Sequence, residues 1–216
     1  MDIPLTRTWI TTLAALIHEQ ADYLTQLDSA IGDADHGVNM NRGFTAVVAA
    51  LAGYEATSVG DVLVRSGTTL VSKVGGASGP LYGTALRAMG KALDGPSVNP
   101  DQLAVALRAG LDGLQKLGAA VPGDKTIVDA YDPALSAFEA AATAGATLAV
   151  AAAAAEVAAK EGMRATTAMQ ARKGRASYLG PRSVGHQDPG ATSTWFMFRA
   201  LAEVAADAAV ATTDGR

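Results

Sequence analysis

Apolar residues recur along most of the chain at intervals of three and four. Trp9, Leu13, Leu16, Ile17, Leu24 and Leu27 form one series, and Met40, Phe44, Val47, Val48 and Leu51 a second; this is the spacing of one face of an amphipathic helix. A third helix is expected to start at Ser58, with Asp61 as the acid of a capping box, and to run through Val62, Leu63, Ser66 and Leu70. A fourth begins near Pro80 and carries Tyr82, Leu86, Met89 and Leu93 until "DGPS" ends it. Asn99 followed by Pro100 opens a fifth, with Leu103, Leu107, Leu111 and Leu114 on one face. A sixth covers about 126–142 with Pro133 inside, where the missing N–H should bend the helix or confine its start. The alanine-rich "ATLAVAAAAAEVAAK" reads as a seventh helix, and Asp188-Pro189 opens an eighth through Trp195, Phe196, Leu201 and Val204.

No stretch alternates apolar and polar residues with the β-branched enrichment of a sheet. The expectation is an all-α fold of eight helices in which short connections make successive helices antiparallel, an up-and-down barrel or bundle. Nothing in the 216 residues reads as a repeat or a linker, so one domain, 1–216, is expected, with the final "ATTDGR" fraying.

Composition narrows the chemistry. With 49% hydrophobic residues the chain can bury a full core. The formal net charge is −4 without a long basic block, which disfavours a nucleic-acid or membrane-surface partner. The alanine run is too weakly apolar for a bilayer span and is broken by Glu156. The N-terminal "MDIPLTRTWITTL" lacks the basic and then apolar regions of a signal peptide, so a cytoplasmic location is expected. There is no cysteine, and any metal must be held by oxygen or imidazole.

The densest chemistry lies in "LDSAIGDADHGVNMNRGF". Asp33 and Asp35 are two apart, and on a helix such residues point about 200° from each other, so a shared ligand requires a non-helical segment. Gly32 and Gly37 permit one, and Asp28 lies a turn upstream. Converging carboxylates repel and resist burial, and a divalent cation compensates them. Magnesium, which takes few carboxylates and leaves positions for water and phosphate oxygens, fits better than calcium. Taken singly, each aspartate could equally be a helix cap or a turn residue. His36 adjoins the carboxylates, and Asn39 and Arg42 share a face at a helix start, where free N–H groups favour anions.

Three other stretches have related character. "SKVGGASGPLYGT" places Gly75, Gly76 and Gly79 around Ala77 and Ser78 before a helix start, a loop able to wrap phosphate although it is not a Walker A sequence. "GRASYLGPRSVGHQDPGA" brings Arg175, Arg182 and His186 to the start of the last helix in a long loop, the usual place for a lid or binding loop. In "GDKTIVDA", Lys125 is a candidate phosphate contact, with Ile127 and Val128 an apolar wall for a base.

These four stretches, taken in their order along the chain and over nearly the whole of it, closely resemble the L subunit of dihydroxyacetone kinase. The resemblance implies an eight-helix barrel with an adenine nucleotide, ADP or ATP, at one end and its phosphates bound through two Mg2+ ions. It implies Asp28, Asp33 and Asp35 as metal ligands. His36, Gly37, Val38, Asn39, Ala77, Ser78, Arg175, Asp188, Pro189 and Gly190 would contact the nucleotide, with Gly118 and Ile127 as further pocket positions and Arg175 in the catalytic role. It also implies partners: a K subunit that holds dihydroxyacetone covalently, a phosphohistidine M subunit of the phosphotransferase system as donor, and a transcription regulator. A homodimer is the expected assembly. Ile127 stands where methionine is common in the family, Pro181 where an acid is common and Gln187 where an aliphatic residue is common. Two alternatives share this reading of the residues: the L-type domain of an ATP-dependent kinase for another small ketose, and a nucleotide-loaded regulatory protein that transfers no phosphate.

Overall fold

The computed structural model describes residues 1–214, and side chains through 211. Among the described residues nine α-helices account for most of the length: α1 (Ile3–Glu19), α2 (Ala21–Ile31), α3 (His36–Leu51), α4 (Val59–Lys73), α5 (Ser78–Lys91), α6 (Pro100–Gly118), α7 (Val128–Thr143), α8 (Leu148–Ala165) and α9 (Pro189–Asp214). Two 3-10 segments, Thr166–Ala168 and Arg175–Ser183, lie between α8 and α9. No β-strand occurs among the described residues; an isolated bridge pairs Asp2 with Ser97. The eight-helix expectation corresponds to these nine segments because the first helix is interrupted at Gln20. No helix among the described residues is long and apolar enough to cross a membrane. Helix α9 is continuous to Asp214, and the remainder of the tail expected to fray lies outside the described residues.

The capping signals act as their chemistry requires. Ser58 accepts from the Asp61 N–H at 3.0 Å while the Asp61 carboxylate accepts from the Ser58 N–H, and Asn99 and Gln102 form the same reciprocal pair ahead of α6. Pro133 sits inside α7 and leaves the Asp129 carbonyl without its helical donor. Gly162 of α8 covers that carbonyl, so closely that a Cβ at 162 would come within 2.1 Å of it.

Each helix from α3 onward packs on its successor, and α9 returns to α1, which closes the ring. The direction alternates. Between α4 and α5, Gly60 faces Gly90 and Gly67 faces Gly83, two contacts seven residues apart on each helix and reversed in order, as antiparallel axes demand. A Cβ at Gly60 would stand 2.0 Å from the Leu93 carbonyl oxygen, so the small residues allow a backbone approach that larger ones would prevent. One main apolar core runs from Trp9 and Ile10 of α1 to Phe196, Phe198 and Leu201 of α9. The Trp9 indole N–H donates to the Met197 carbonyl at 2.9 Å and ties the first helix to the last.

Alternation has a consequence for one end of the ring. The N-termini of α3, α5, α7 and α9 all open on the same cavity, which Asp35, Ala77, Ile127 and Pro189 help to line. Helix N-termini carry partial positive charge and unpaired N–H groups, so this end of the molecule attracts anions.

Candidate nucleotide and metal site

The cavity at that end has a volume of about 720 Å³, of the size that takes a nucleotide-sized ligand. Three carboxylates stand at one edge. Asp28 ends in the last turns of α2, and residues 32–35 form a non-helical hinge to α3, as the two-residue spacing of Asp33 and Asp35 predicts. Ala34 in that hinge is left-handed, with φ of 60°, a conformation uncommon outside glycine. One ligand oxygen from each of Asp28, Asp33 and Asp35 lies within 4.8 Å of the others.

Asp28 organises the hinge. Its Oδ2 accepts from the N–H groups of Asp35 at 2.8 Å and His36 at 3.1 Å, so a carboxylate from α2 caps α3. Asp35, at the N-cap position itself, makes no side-chain cap bond and its carboxylate faces the cavity. A Cβ at Gly32 would lie 1.9 Å from Asp28 Oδ1, so glycine is required for the Asp28 carboxylate to stand where it does. A buried oxygen donor with two more exposed ones beside it, and no sulfur or free imidazole, suits a hard divalent cation.

His36 is buried, and burial lowers its pKa to about 4 against the opposing charge of Asp35. It is therefore neutral near pH 7. Both ring nitrogens meet hydroxyls: Nδ1 lies 3.0 Å from Ser78 Oγ and Nε2 2.9 Å from Ser193 Oγ, which in turn lies 2.7 Å from the Tyr82 hydroxyl. The imidazole joins the starts of α3, α5 and α9 instead of supplying a positive charge. Ser78, the first residue of α5, also lines the cavity, and the N-cap residue Ala77 offers no side-chain cap, which leaves the N–H groups of that turn for a ligand.

Asp188 caps α9 by accepting from the Ala191 N–H at 2.7 Å. Burial pushes its pKa up to about 7; the Ala191 bond and Lys125 work against that, and the carboxylates of Asp129 and Asp28 reinforce it. Across the cavity mouth, Arg175 reaches from the second 3-10 segment to Asp33 at 3.1 Å, an exposed pair.

Asp28, Asp33, Asp35, His36, Ala77, Ser78, Gly118, Ile127, Arg175, Asp188, Pro189 and Gly190 all line the cavity. Gly37, Val38 and Asn39 do not. Gly37 packs against the Ala21 carbonyl of α2, Val38 is exposed, and Asn39 accepts from Arg42 Nη2 at 2.7 Å. Lys125 lines the wall, but its ammonium points into backbone carbonyls instead of into the cavity. Val128 is fully buried in the core, so the apolar wall beside Ile127 comes from Leu81, Leu114 and Leu117. Those leucines, and Lys173 beside Arg175, are lining residues that sequence reasoning did not single out.

Comparison with known proteins agrees with this geometry. The DAK2 domain family matches residues 30–203. The chain is 46% identical over 195 residues to the ADP-binding subunit DhaL of the PEP-dependent dihydroxyacetone kinase of Escherichia coli K12, covering 90% of this chain and 93% of that one. It is 37% identical to the ADP-binding subunit DhaL of the PTS-dependent dihydroxyacetone kinase of Lactococcus lactis, with 95% of this chain and 100% of that one covered. In fold it is similar to the dihydroxyacetone kinase of C. freundii crystallised with AMP-PNP and Mg2+, with a TM-score of 0.71 at 24% identity over 94% of this chain and 34% of that one. The chain belongs to the DAK2-domain family of kinase subunits, among the L subunits of the dihydroxyacetone kinases.

Proposed function

We propose that this chain is the nucleotide-carrying subunit of a cytoplasmic dihydroxyacetone kinase, one unit over 1–216 that holds ADP or ATP with two Mg2+ ions. The observation that carries the reading is the convergence of Asp28, Asp33 and Asp35 beside a cavity on which four helix N-termini open. Carboxylates alone would repel a diphosphate; with divalent cations between them the two sets of anions become complementary. The E. coli and L. lactis relatives are named as ADP-binding subunits, which fits the same assignment.

In this reading Asp28, Asp33 and Asp35 would hold the metal, which when bound would neutralise charge on phosphate oxygens. The chain's own groups do the rest. The N–H groups at Ala77 and Ser78 and the Ser78 hydroxyl hold phosphate oxygens, and the turn Asp188, Pro189 and Gly190 abuts the nucleotide from the start of α9. Leu81, Leu114, Leu117 and Ile127 exclude water from the base. Arg175, paired with Asp33 at 3.1 Å, is placed to turn its guanidinium from that carboxylate to a phosphoryl group and to stabilise the charge that spreads over it in the transition state. No general base is needed from this chain. The acceptor sits on a K subunit, and a phosphohistidine M subunit recharges the ADP in place.

The test is reconstitution. The chain is mixed with a dihydroxyacetone-binding K subunit, dihydroxyacetone, Mg2+, and either ATP or a phosphorylated M subunit. Formation of dihydroxyacetone phosphate only when all components are present supports the proposal. Transfer to another small ketose alone would move the acceptor, and tight ADP binding with no transfer from any donor would favour a regulatory protein.

A further inference from the structure

Lys125 has a relative exposure of 1%, the lowest of the charged side chains among the described residues, and its backbone is left-handed with φ of 62°. Its ammonium donates to the carbonyls of Met169 at 3.1 Å, Ser183 at 2.6 Å and His186 at 2.5 Å. These three bonds use every donor an ammonium has. The acceptors lie at the two ends of one segment, 169–186, which forms a strap over the cavity and carries Lys173, Gly174, Arg175 and Ala176 in its lining.

Apart from the exposed Arg175–Asp33 pair at 3.1 Å, which an exposed position makes weak, the strap has few ties. Its apolar seat is a small cluster of Ala171 and Ala176 with Ile31, packed by Leu179, while Tyr178 is 84% exposed. The other ties near its base are neutral: the Arg172 N–H donates to the Asp124 carbonyl at 3.0 Å, the Ala171 N–H to Ser183 Oγ at 2.9 Å and the Gly185 N–H to the Thr167 carbonyl at 2.8 Å. Hydrogen bonds from a charged donor are about twice as strong as neutral ones. The turn that aims the lysine is itself braced, because Asp124 accepts from the Val121 N–H and Asp129 from the N–H groups of Gly123 and Thr126.

We propose that Lys125 is a positioning residue: its buried ammonium cinches the two ends of the strap 169–186 together and so seats Arg175 over the site. The consequence for catalysis rests on the reading of the cavity as a nucleotide site; the clamp itself does not.

The test compares Lys125→Met, which keeps side-chain length and removes the donors, with the parent chain and with Tyr131→Phe, a buried substitution that deletes a hydroxyl bond to the Leu107 carbonyl of α6. Trypsin reports on the strap without any nucleotide, through cleavage after Arg172, Lys173, Arg175 and Arg182. Lys125→Met is expected to speed cleavage there at least tenfold, and to speed ADP release in Mg2+ about tenfold, while Tyr131→Phe changes neither more than twofold. Should Lys125→Met fail to fold, Lys125→Gln, which retains amide donors, is read in the same way with a smaller effect. Cleavage and ADP release at parental rates overturn the clamp, as does an equal effect from Tyr131→Phe. If the parent binds no ADP in Mg2+, the nucleotide reading fails while the cleavage rates still decide on the clamp.

Discussion

Neutralising Asp33 separates a metal ligand from a structural carboxylate, because the two roles move stability in opposite directions. Asp33→Asn removes one charge from a trio whose ligand oxygens lie within 4.8 Å of one another. At that separation each pair of carboxylates repels by about 1 kcal/mol in water and about 3.5 kcal/mol at an effective dielectric of 20. The Asp33 side chain is 42% exposed, so the water-like figure applies, and relief from two neighbours comes to about 2 kcal/mol at most. Against this stands the lost pair with Arg175, whose side chain is 70% exposed; such pairs contribute about 0–1 kcal/mol. Without ligand the variant should be more stable by about 1 kcal/mol, which raises the melting midpoint about 2–4 °C in a chain of this size. With ligand the sign reverses. ADP and Mg2+ at a hundredfold excess over the dissociation constant stabilise the parent by about 2.7 kcal/mol, or roughly 5–10 °C, and the variant should lose most of that shift. Scanning calorimetry of both proteins with ADP in Mg2+ and in EDTA measures all four midpoints. An undiminished Mg2+-dependent shift in Asp33→Asn would refute the ligand assignment.

Gly32→Ala should lower ADP affinity in Mg2+ at least tenfold with unchanged circular dichroism, because its Cβ would stand 1.9 Å from Asp28 Oδ1 and displace that carboxylate; titration calorimetry giving parental affinity would contradict this. Arg175→Ala should reduce kcat with the K subunit at least tenfold while ADP affinity changes less than threefold, the result expected of the proposed role, in which its contact strengthens in the transition state; an affinity loss as large as the kcat loss would make it a ground-state binding group. Asp188 makes stability depend on pH. Its carboxyl loses a proton near 3.8 in the unfolded chain and near 7 in the ligand-free native protein, so the native state binds more protons in that window and the contribution of Asp188 declines as pH rises through it. His36 does the opposite between about 4 and 6.5, its native pKa being the lowered one, so the two contributions oppose each other in the parent. Asp188→Asn retains a cap oxygen for Ala191, and parent stability relative to this variant should fall by up to about 4 kcal/mol from pH 4 to 7; parallel urea-unfolding profiles would falsify the assignment.

The legibility of the fold follows from where its signals are local. Ser58 with Asp61 and Asn99 with Gln102 satisfy orphan N–H groups three residues away, so the helix starts at α4 and α6 are written in a four-residue window. The break at Gln20 carries neither proline nor glycine, and nothing local announces it. In the site, the aspartates two apart gave away the hinge because a helix cannot turn both to one ligand. Leu81, Leu114 and Leu117 were not distinguishable, since a leucine lining the end of a ring has the same helical spacing as one in its core. The role of Lys125 is hidden for a related reason: its acceptors are backbone carbonyls 44 to 61 residues away, which no side-chain pattern encodes. Asn39 and Arg42, expected to face an anion together, instead satisfy each other.

Crystals of the chain grown with ADP and Mn2+ in place of Mg2+, measured at the manganese absorption edge, address the metal-bridged diphosphate itself. Two anomalous peaks bounded by the carboxylates of Asp28, Asp33 and Asp35 on one side and the diphosphate on the other are the predicted result. Bound ADP with no manganese at those carboxylates, or manganese there with the diphosphate elsewhere, would contradict it.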